Sequence, residues 1–374
     1  MTTSRRSLIK AGLGATAGVG ALAGAETTTA APAKVRHIPY KRIATEEAWN
    51  IPEILAAQVA LANSSAPPDD PSLKMVAMFS NNRALQDQLM EVGEERLRKM
   101  DALGVDRQLL LLTSPGVQVL SPDLGTNLAA LSNDRLVEIC RKHPDRFSGL
   151  AAIAPQNVKG AVAEIERAKT LGLNGVVVNS HTQGHYLDEA QYLPIWEALE
   201  ATDQAIYIHP TSPSRLAEGA YLGRAMYGAM AGYSHEVWLH TMAIILAGVF
   251  DRYPKLRVVI GHAGEAMPLL LYRFDWWQSS AEALSGRHGE PAVKLKRKIS
   301  DYFKTNIWIT TSGVAWEPAI KFCMDVLGPD RVIYAMDYPY QQSKAEVDIH
   351  DALDIPAEHK AMLMQTNAER VFRL

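Results

Sequence analysis

The chain has little cysteine and no excess of charge of one sign. Two cysteines among 374 residues, Cys140 and Cys323, are too few for a disulfide scaffold or a four-thiolate zinc site. Each lies in a helix-like stretch, so we expect free buried thiols. With a net charge of −3, the chain lacks the excess of basic residues that is typical of a nucleic-acid binder. A hydrophobic content of 47% excludes extended disorder.

The first 33 residues differ in composition from the rest of the chain. Two arginines and a lysine within Ser4–Lys10 precede an Ala/Gly-rich run over 11–24, which is too short and too weakly apolar to span a bilayer. This order is typical of an export signal, and Ser4–Lys10 resembles the twin-arginine consensus. We therefore predict a twin-arginine-type signal peptide over 1–33, a periplasmic mature protein without a stable membrane anchor, and a single domain over 34–374. A disordered basic tail is the alternative.

Short apolar runs alternate with longer helix-compatible segments through the rest of the chain, a pattern typical of βα units around a parallel sheet. The runs are 42–45, 108–112, 147–153, 175–178, 205–208, 257–260, 306–309 and 331–335. Eight such runs in roughly 300 residues predict an α/β fold of the (β/α)8 TIM-barrel type. A doubly wound open sheet is the structural alternative.

Three of the intervening segments carry further predictions. Residues 51–82 contain four prolines, and we expect an irregular loop that covers substrate rather than a second domain. Residues 211–232, rich in Gly, Ala and Met, are expected to cap the same mouth. Apolar residues at helical spacing predict one helix over 87–103.

Ligand-type side chains follow five different predicted strands. They are Glu46, His181, His209, His262 and Asp337. Because barrel enzymes build their sites at the carboxyl ends of the strands, we expect these side chains to converge on one face. Carboxylates and imidazoles around a divalent ion polarise a bound oxygen or activate a water. The sequence therefore predicts a metal site at the mouth of the barrel.

Several motifs at these positions are long enough to be specific. They are Ile43–Ala48, Leu112–Gln118, Asn179–Gly184, Tyr207–Pro210, Gly261–Ala266, Ser312–Pro318 and Tyr334–Tyr340. Together they resemble the amidohydrolase-related metal-dependent decarboxylases, and most closely the 5-carboxyvanillate decarboxylase branch of that family. The resemblance covers 42–374, and it implies association into homodimers or higher homo-oligomers, with Trp276 and Trp277 as candidate contacts.

The same resemblance implies individual site residues. The implied metal ligands are Glu46, His209 and Asp337. The implied substrate-binding residues are Arg83, Thr113, His181, Tyr233, Arg273 and Tyr340. In this scheme the two arginines neutralise substrate oxygens, and Tyr340 hydrogen-bonds to them. Asp337 is the expected proton donor to the substrate ring, and His262, which is implied to touch substrate, is the alternative donor.

One position departs from the wider superfamily. Many members carry a histidine two residues after the first-strand ligand, where this chain has Ala48. Alanine cannot coordinate, so a bound ion keeps open positions, as expected where substrate chelates the metal. An oxygen-rich site of this kind favours Mn²⁺, with Zn²⁺ second.

The resemblance implies a decarboxylase of a small ortho-hydroxylated aromatic carboxylate related to 5-carboxyvanillate, and the residues of the site are consistent with that chemistry. A metal-dependent hydrolase that opens a C–C bond or a lactone with an activated water is the alternative, since it would use the same site. A non-catalytic binding protein is a third possibility, against which the joint presence of Glu46, His209 and Asp337 argues.

Overall fold

The computed structural model describes residues 39–221, 223–224, 226–284 and 294–374, so the predicted signal peptide lies outside the described residues. Within these ranges the strands are β1 (Ile43–Trp49), β2 (Arg107–Leu112), β3 (Phe147–Gly149), β4 (Ala151–Ala152), β5 (Val176–Asn179), β6 (Ala205–His209), β7 (Arg257–Ile260), β8 (Ile307–Thr310) and β9 (Val332–Ile333).

Helices occupy most of the connections between the strands. They are α1 (Pro52–Ala62), α2 (Pro71–Phe79), α3 (Arg83–Met90), α4 (Glu94–Leu103), α5 (Pro122–Lys142), α6 (Val158–Leu171), α7 (Leu193–Ala201), α8 (Arg215–Glu218), α9 (Gly232–Leu246), α10 (Val249–Arg252), α11 (His262–Glu265), α12 (Met267–Leu284), α13 (Ile299–Thr305), α14 (Glu317–Leu327), α15 (Lys344–Ala352), α16 (Ala357–Ala361) and α17 (Asn367–Phe372). Short 3-10 turns lie at Ala190–Tyr192 and Pro329–Arg331, and a π-helical turn lies at Met362–Thr366.

The strands form one closed parallel barrel. Strands β1 to β3 pair in order, as do β4 to β9, and every pairing is parallel. Leu150 separates β3 from β4, and its N–H donates to the Leu110 carbonyl at 2.9 Å, so the two pieces act as one strand. The Ala48 N–H donates to the Tyr338 carbonyl at 2.7 Å and joins the two ends of the sheet. The predicted TIM barrel is confirmed, and the open sheet is excluded.

The strands are buried on both faces, which is why their sequences are continuous apolar runs. Residues 108–112 of β2 and all five residues of β6 are buried. Side chains on one face fill the barrel interior, while those on the other pack under the surrounding helices. The polar residues Glu46, Tyr207 and Thr310 are therefore exceptions inside an apolar barrel, and they mark its functional end.

Most of the segment over 51–82 is helical, with an irregular connection over 63–70 between α1 and α2, so the irregular loop predicted for the whole segment is wrong. Pro52 and Pro71 occupy the first turns of α1 and α2, where a missing N–H costs nothing because helix-start N–H groups have no partner within the helix. The Asp70 carboxylate caps α2 by accepting the Ser72 N–H at 2.9 Å. These prolines begin helices instead of breaking them.

The single helix predicted over 87–103 is two helices, α3 and α4, interrupted at 91–93. The Glu91 carboxylate accepts the backbone N–H groups of Glu95 at 3.3 Å and Arg96 at 2.7 Å, so it satisfies N–H groups at the start of α4. Apolar periodicity continues across the break, which is why it did not reveal the interruption.

Strand β1 runs past its predicted end at residue 45 to Trp49, and its pairing register with β2 shifts between Ala44 and Glu47. Such an irregularity adds a residue to one strand and disturbs the normal alternation of side chains. As a result the neighbouring carboxylates of Glu46 and Glu47 are both buried, at 1% and 0% exposure.

Two further expectations concern the cysteines and the membrane. Both Cys140 and Cys323 are free, with Cys323 buried and Cys140 half-buried. Among the helices that the structure describes, none combines the length and apolar character that a membrane span needs.

Candidate active site

Three predicted ligands from distant parts of the chain meet at the carboxyl end of the barrel. Glu46 lies in β1, His209 ends β6, and Asp337 lies in the loop after β9. Each offers one ligand atom, and these atoms all lie within 4.8 Å of one another. In the described part of the chain this is the one such group of three, so the structure supports a single metal centre.

The two oxygens of the Glu46 carboxylate have different surroundings. Oε2 accepts hydrogen bonds from the hydroxyls of Tyr207, Ser312 and Thr310, the last at 2.9 Å. Oε1 is buried and has no hydrogen-bond partner among the described residues. It lies 3.8 Å from His209 Nε2 and 3.5 Å from His262 Nε2. A buried carboxylate oxygen without a donor is costly unless a cation satisfies it, so this atom fits a metal ligand.

His209 is oriented as a neutral nitrogen ligand. Its Nδ1–H donates to Asn179 Oδ1 at 2.9 Å, which leaves the lone pair of Nε2 directed towards Glu46. Burial lowers the pKa of His209 to about 4, so the ring is neutral near pH 7. One imidazole nitrogen and two carboxylates form a donor set suited to a divalent ion such as Mn²⁺ or Zn²⁺.

The surroundings of Glu46 keep it ionised. Burial acts to raise its pKa, but His262, His209 and the hydroxyls of Ser312 and Tyr207 together hold that pKa below its ordinary value.

A close backbone approach also shapes this pocket. A Cβ at Gly261 would lie 2.8 Å from Glu46 Oε1, so only glycine leaves room for the carboxylate.

His262 and Asp337 both adopt left-handed backbone conformations, with φ of 52° and 67°. Non-glycine residues seldom do so except where the surrounding structure holds them, which is common at functional sites. His262 Nδ1 lies 2.7 Å from Glu265 Oε1. Burial acts to lower the pKa of His262, but the carboxylates of Glu46 and Glu265 outweigh burial and raise that pKa to about 10. Burial and Glu46 raise the pKa of Asp337 well above its ordinary value.

A cavity of about 440 Å³ opens over these groups, a size suited to a small ligand. Its polar lining includes Thr113, His209, Tyr233, His262, Asp337 and Tyr340. Its apolar wall includes Leu55, Met75, Val76, Phe79 and Leu89 from the helices over 52–90. Tyr227 and Ala229 of the second predicted covering segment also line it. Both segments therefore lie over the barrel mouth, as the sequence predicts.

Two implied substrate contacts are joined across this cavity. The Thr113 and Tyr340 hydroxyls lie 2.6 Å apart, and burial raises the pKa of the Tyr340 hydroxyl to about 12. The Tyr233 hydroxyl donates to Met75 Sδ at 2.9 Å. These three hydroxyl groups are placed where a ligand in the cavity would meet them.

His181 is not among the residues that line this cavity. Its Nε2–H donates to the Ser212 carbonyl at 3.0 Å, and its Nδ1 accepts the Gly184 N–H at 3.1 Å. Both ring nitrogens are thus engaged by backbone, which fixes the loop after β5. The ring borders a separate cavity of about 390 Å³.

Neither of the two implied arginines is among the residues that line the cavity. Arg83 begins α3, its side chain is 93% exposed, and its Nε lies 3.8 Å from Asp87 Oδ2. Arg273 lies on the exposed surface of α12. Their substrate-binding roles stay predictions.

Several residues that shape the site received no role from the sequence. Tyr207 and His209 are two apart on β6, so alternation puts them on one face. Asn179 is the register partner of His209 across the β5–β6 pair, which explains its contact with the ring. Two signals in the sequence would have identified them. Tyr207 is a polar residue in a buried strand, and Asn179 ends the strand that pairs with the one carrying His209.

The charge on His262 predicts a pH dependence of stability. Its folded pKa, about 10, lies above the ordinary 6.5, so its stabilising effect is complete below pH 6.5 and lost as pH rises through 10. In chelator-treated protein, the difference in unfolding free energy between wild type and H262N should shrink over that range in denaturant titrations.

The matched control for that measurement is H240N. His240 is buried, which lowers its pKa to about 3, so its contribution is lost as pH falls from 6.5 towards 3. The two histidine variants should therefore show opposite slopes. A difference for H262N that stays flat from pH 6 to 10 would contradict the assigned charge.

Comparisons with known proteins agree with this geometry. A family model described as Amidohydrolase matches residues 87–374. The gamma-resorcylate decarboxylase of Polaromonas sp. (strain JS666 / ATCC BAA-500) is 31% identical over 299 residues, covering 78% of this chain and 90% of that protein.

Solved structures of decarboxylases are similar over nearly the whole barrel. The 5-carboxyvanillate decarboxylase of Novosphingobium aromaticivorans DSM 12444, complexed with manganese and 4-hydroxy-3-methoxy-5-nitrobenzoic acid, gives a TM-score of 0.87 at 41% identity, covering 90% of this chain and 97% of that one. The dihydroxybenzoic acid decarboxylase of Polaromonas sp. JS666, with manganese and 2-nitroresorcinol, gives a TM-score of 0.76 at 29% identity, covering 90% of this chain and 97% of that one. With its barrel, its single three-ligand cluster and these similarities, the chain belongs to the amidohydrolase family.

Proposed function

We propose that this protein catalyses the non-oxidative decarboxylation of an ortho-hydroxylated aromatic carboxylate, with one divalent metal ion held by Glu46, His209 and Asp337. The observation that carries the proposal is Oε1 of Glu46, buried without a hydrogen-bond donor beside His209, which itself lines a cavity with largely apolar walls. An ion there satisfies the carboxylate, and the apolar walls accommodate an aromatic ring.

Manganese is the proposed ion, and zinc is the second choice. Two carboxylates and one imidazole make an oxygen-rich set, and a phenolate with an adjacent carboxylate would add hard oxygen ligands. Solved relatives hold manganese together with nitro-substituted phenols, which supports the same class of ligand here. When bound, the ion supplies positive charge that holds and stabilises the oxygens of the substrate.

The reaction needs a proton on the ring carbon that bears the carboxylate. Once that carbon is protonated, the bond to the carboxylate carbon breaks, its electron pair returns to the ring, and CO2 leaves. Asp337 is the proposed donor because it lies beside the metal site, and in the metal-free protein burial and Glu46 raise its pKa above the ordinary value. His262 is the alternative, since its pKa of about 10 keeps it protonated at neutral pH. The donor regains its proton from solvent after CO2 leaves.

Other residues of the cavity orient the ring and exclude water. The hydroxyls of Thr113 and Tyr340 can hydrogen-bond to substituent oxygens. Met75 and Phe79, from helices that cover the mouth, remove water from the ring face. Exclusion of water disfavours the alternative hydrolase, which would need a nucleophilic water on the substrate carbon.

The substrate class is tested directly by product analysis. Purified protein loaded with Mn²⁺ is incubated with a panel of aromatic carboxylates in ¹⁸O-labelled water, and both CO2 release and label in the organic product are measured. We expect CO2 only from substrates with an ortho hydroxyl. Label in the product without CO2 would instead support the hydrolase.

Replacing Asp337 separates its proposed roles from folding. D337N removes an anionic ligand and the proposed acid, so we expect kcat to fall by about 10²- to 10⁴-fold, and Mn²⁺ affinity to fall with it. Circular dichroism should show an intact fold. Asp325, exposed on α14, is the control, and D325N should match wild type. Near-normal turnover of D337N would exclude this mechanism.

The arginine predictions are tested by substrate binding. R83A and R273A should each raise KM by about 10-fold, the loss expected for one charge-assisted hydrogen bond, with little change in unfolding free energy. Steady-state kinetics measures both. An unchanged KM in either variant would remove that arginine from the proposed site.

We also propose that the protein is exported by the twin-arginine route to the periplasm. The paired Arg5 and Arg6 ahead of an Ala/Gly-rich run support this. Changing both to lysine should retain the protein in the cytosol of a bacterial host, as cell fractionation and immunoblotting would show. Unaffected export of that variant would contradict the route.

We further propose a homodimer or higher homo-oligomer. Helix α12 carries Leu269, Tyr272, Trp276 and Trp277, exposed by 71%, 85%, 60% and 44%. Large apolar side chains grouped on one exposed helix are typical of protein interfaces. Light scattering of the purified protein measures the mass in solution.

A further inference from the structure

Glu47, the neighbour of Glu46 on β1, touches neither cavity nor solvent. It is 0% exposed. Both oxygens of its carboxylate accept hydrogen bonds. Oε1 accepts the backbone N–H of Met336 at 3.0 Å, and Oε2 accepts the side-chain N–H of Gln108 at 3.0 Å. Met336 directly precedes Asp337, so Glu47 fixes the backbone immediately before this candidate metal ligand.

The same strand also holds the backbone on the other side of Asp337. The Ala48 N–H donates to the Tyr338 carbonyl at 2.7 Å. Asp337 itself has a φ of 67°, a conformation that a non-glycine residue keeps only where its neighbours impose it. Two consecutive residues of β1 thus bracket the strained residue, directly after Glu46 in the sequence.

Arg96 on α4 supports this arrangement from behind. It is fully buried, and its Nε–H donates to Gln108 Oε1 at 2.7 Å. Its Nη1–H donates to the Ala48 carbonyl at 2.9 Å, and its guanidinium lies 4.1 Å from the centre of the Tyr338 ring. Arg96 therefore contacts β1 and the loop that carries Asp337 at the same time.

The direction of every hydrogen bond in this chain of contacts is determined by chemistry. Arginine can only donate, so the oxygen of the Gln108 amide must face Arg96, and its NH2 group must face Glu47. A backbone N–H can only donate as well, so Met336 presents a second donor. Residue 47 must consequently accept at both of its terminal atoms, which a carboxylate does and an amide cannot.

We propose that Glu47 is a positioning residue for the metal centre, which holds Asp337 in its strained conformation through Met336 and depends on Gln108 and Arg96 to do so. The proposal rests on the proposed role of Asp337 as a metal ligand. It assigns Glu47 no contact with substrate. Its predicted effect is therefore on the affinity for the ion, which does not require turnover.

The experiment compares E47Q with the double variant E47Q/Q108E. E47Q keeps the shape of the side chain, but its new NH2 group faces a donor, the N–H of either Met336 or Gln108. We therefore expect Mn²⁺ affinity to fall by about 10- to 100-fold. In E47Q/Q108E the amide of residue 47 can donate to the new carboxylate, whose other oxygen accepts from Arg96. Net charge and all hydrogen bonds are restored, so affinity should return to within about 3-fold of wild type.

Mn²⁺ binding is measured by electron paramagnetic resonance of the free ion during titration of metal-free protein, without substrate. The control is E164Q, which alters another buried carboxylate, one on α6 that accepts from Asn133 and Arg167. It should lose stability but keep its Mn²⁺ affinity. If E47Q does not fold, E47D replaces it, since it keeps the charge but shortens the reach by one methylene.

Unchanged Mn²⁺ affinity in folded E47Q or E47D would overturn the proposal, and so would a folded double variant that fails to recover. A loss of affinity equal to that in E164Q would reduce Glu47 to a structural role and overturn it as well. Failure of the proposed function looks different: wild type would bind Mn²⁺ and release no CO2, while E47Q would still bind the ion more weakly.

Discussion

The unequal surroundings of the two Glu46 oxygens are the constraint on which the rest of this site depends. Oε2 takes hydroxyl donors from Tyr207, Thr310 and Ser312, which fixes the carboxylate and keeps it ionised. Oε1 is left free of donors and buried beside His209. The donors belong to β6, to β8 and to the turn after β8, so the carboxylate is held only when the barrel has closed. Closure and the ability to bind a cation are thus one event.

Two histidines close to that carboxylate differ in charge, one neutral and one positive, because their outer nitrogens have different partners. His209 donates to the neutral amide of Asn179 and is buried, so it is a neutral ligand at neutral pH. His262 is paired with the Glu265 carboxylate and also faces Glu46, so it keeps its proton. This division gives one ring the lone pair that an ion needs and the other ring a proton that the chemistry can use.

The parts predicted from the sequence are those that depend on local pattern. Apolar runs buried on both faces identified the eight barrel strands, and ligand-type residues after them identified the end of the barrel that carries the site. The prediction was wrong over 51–82, because prolines there start helices rather than break them. It also missed the division between α3 and α4, where the Glu91 side chain caps a new helix within a continuous apolar pattern. Both errors concern where helices begin, which depends on prolines at helix starts in one case and on a side-chain cap in the other, and periodicity detects neither.

The sequence by itself determined the barrel and the chemistry of its candidate ligands, because strand alternation and residue type are local properties. Which of those ligands meet was implied by the family resemblance and not by any local pattern, and the tertiary structure decided their geometry. It brought Glu46, His209 and Asp337 within 4.8 Å but turned both nitrogens of His181 towards backbone. Likewise Glu47 differs from Glu46 by one position in the chain, yet the shifted register of β1 gives the two carboxylates separate partners. Register and closure depend on contacts between residues almost 300 positions apart, and no local pattern contains them.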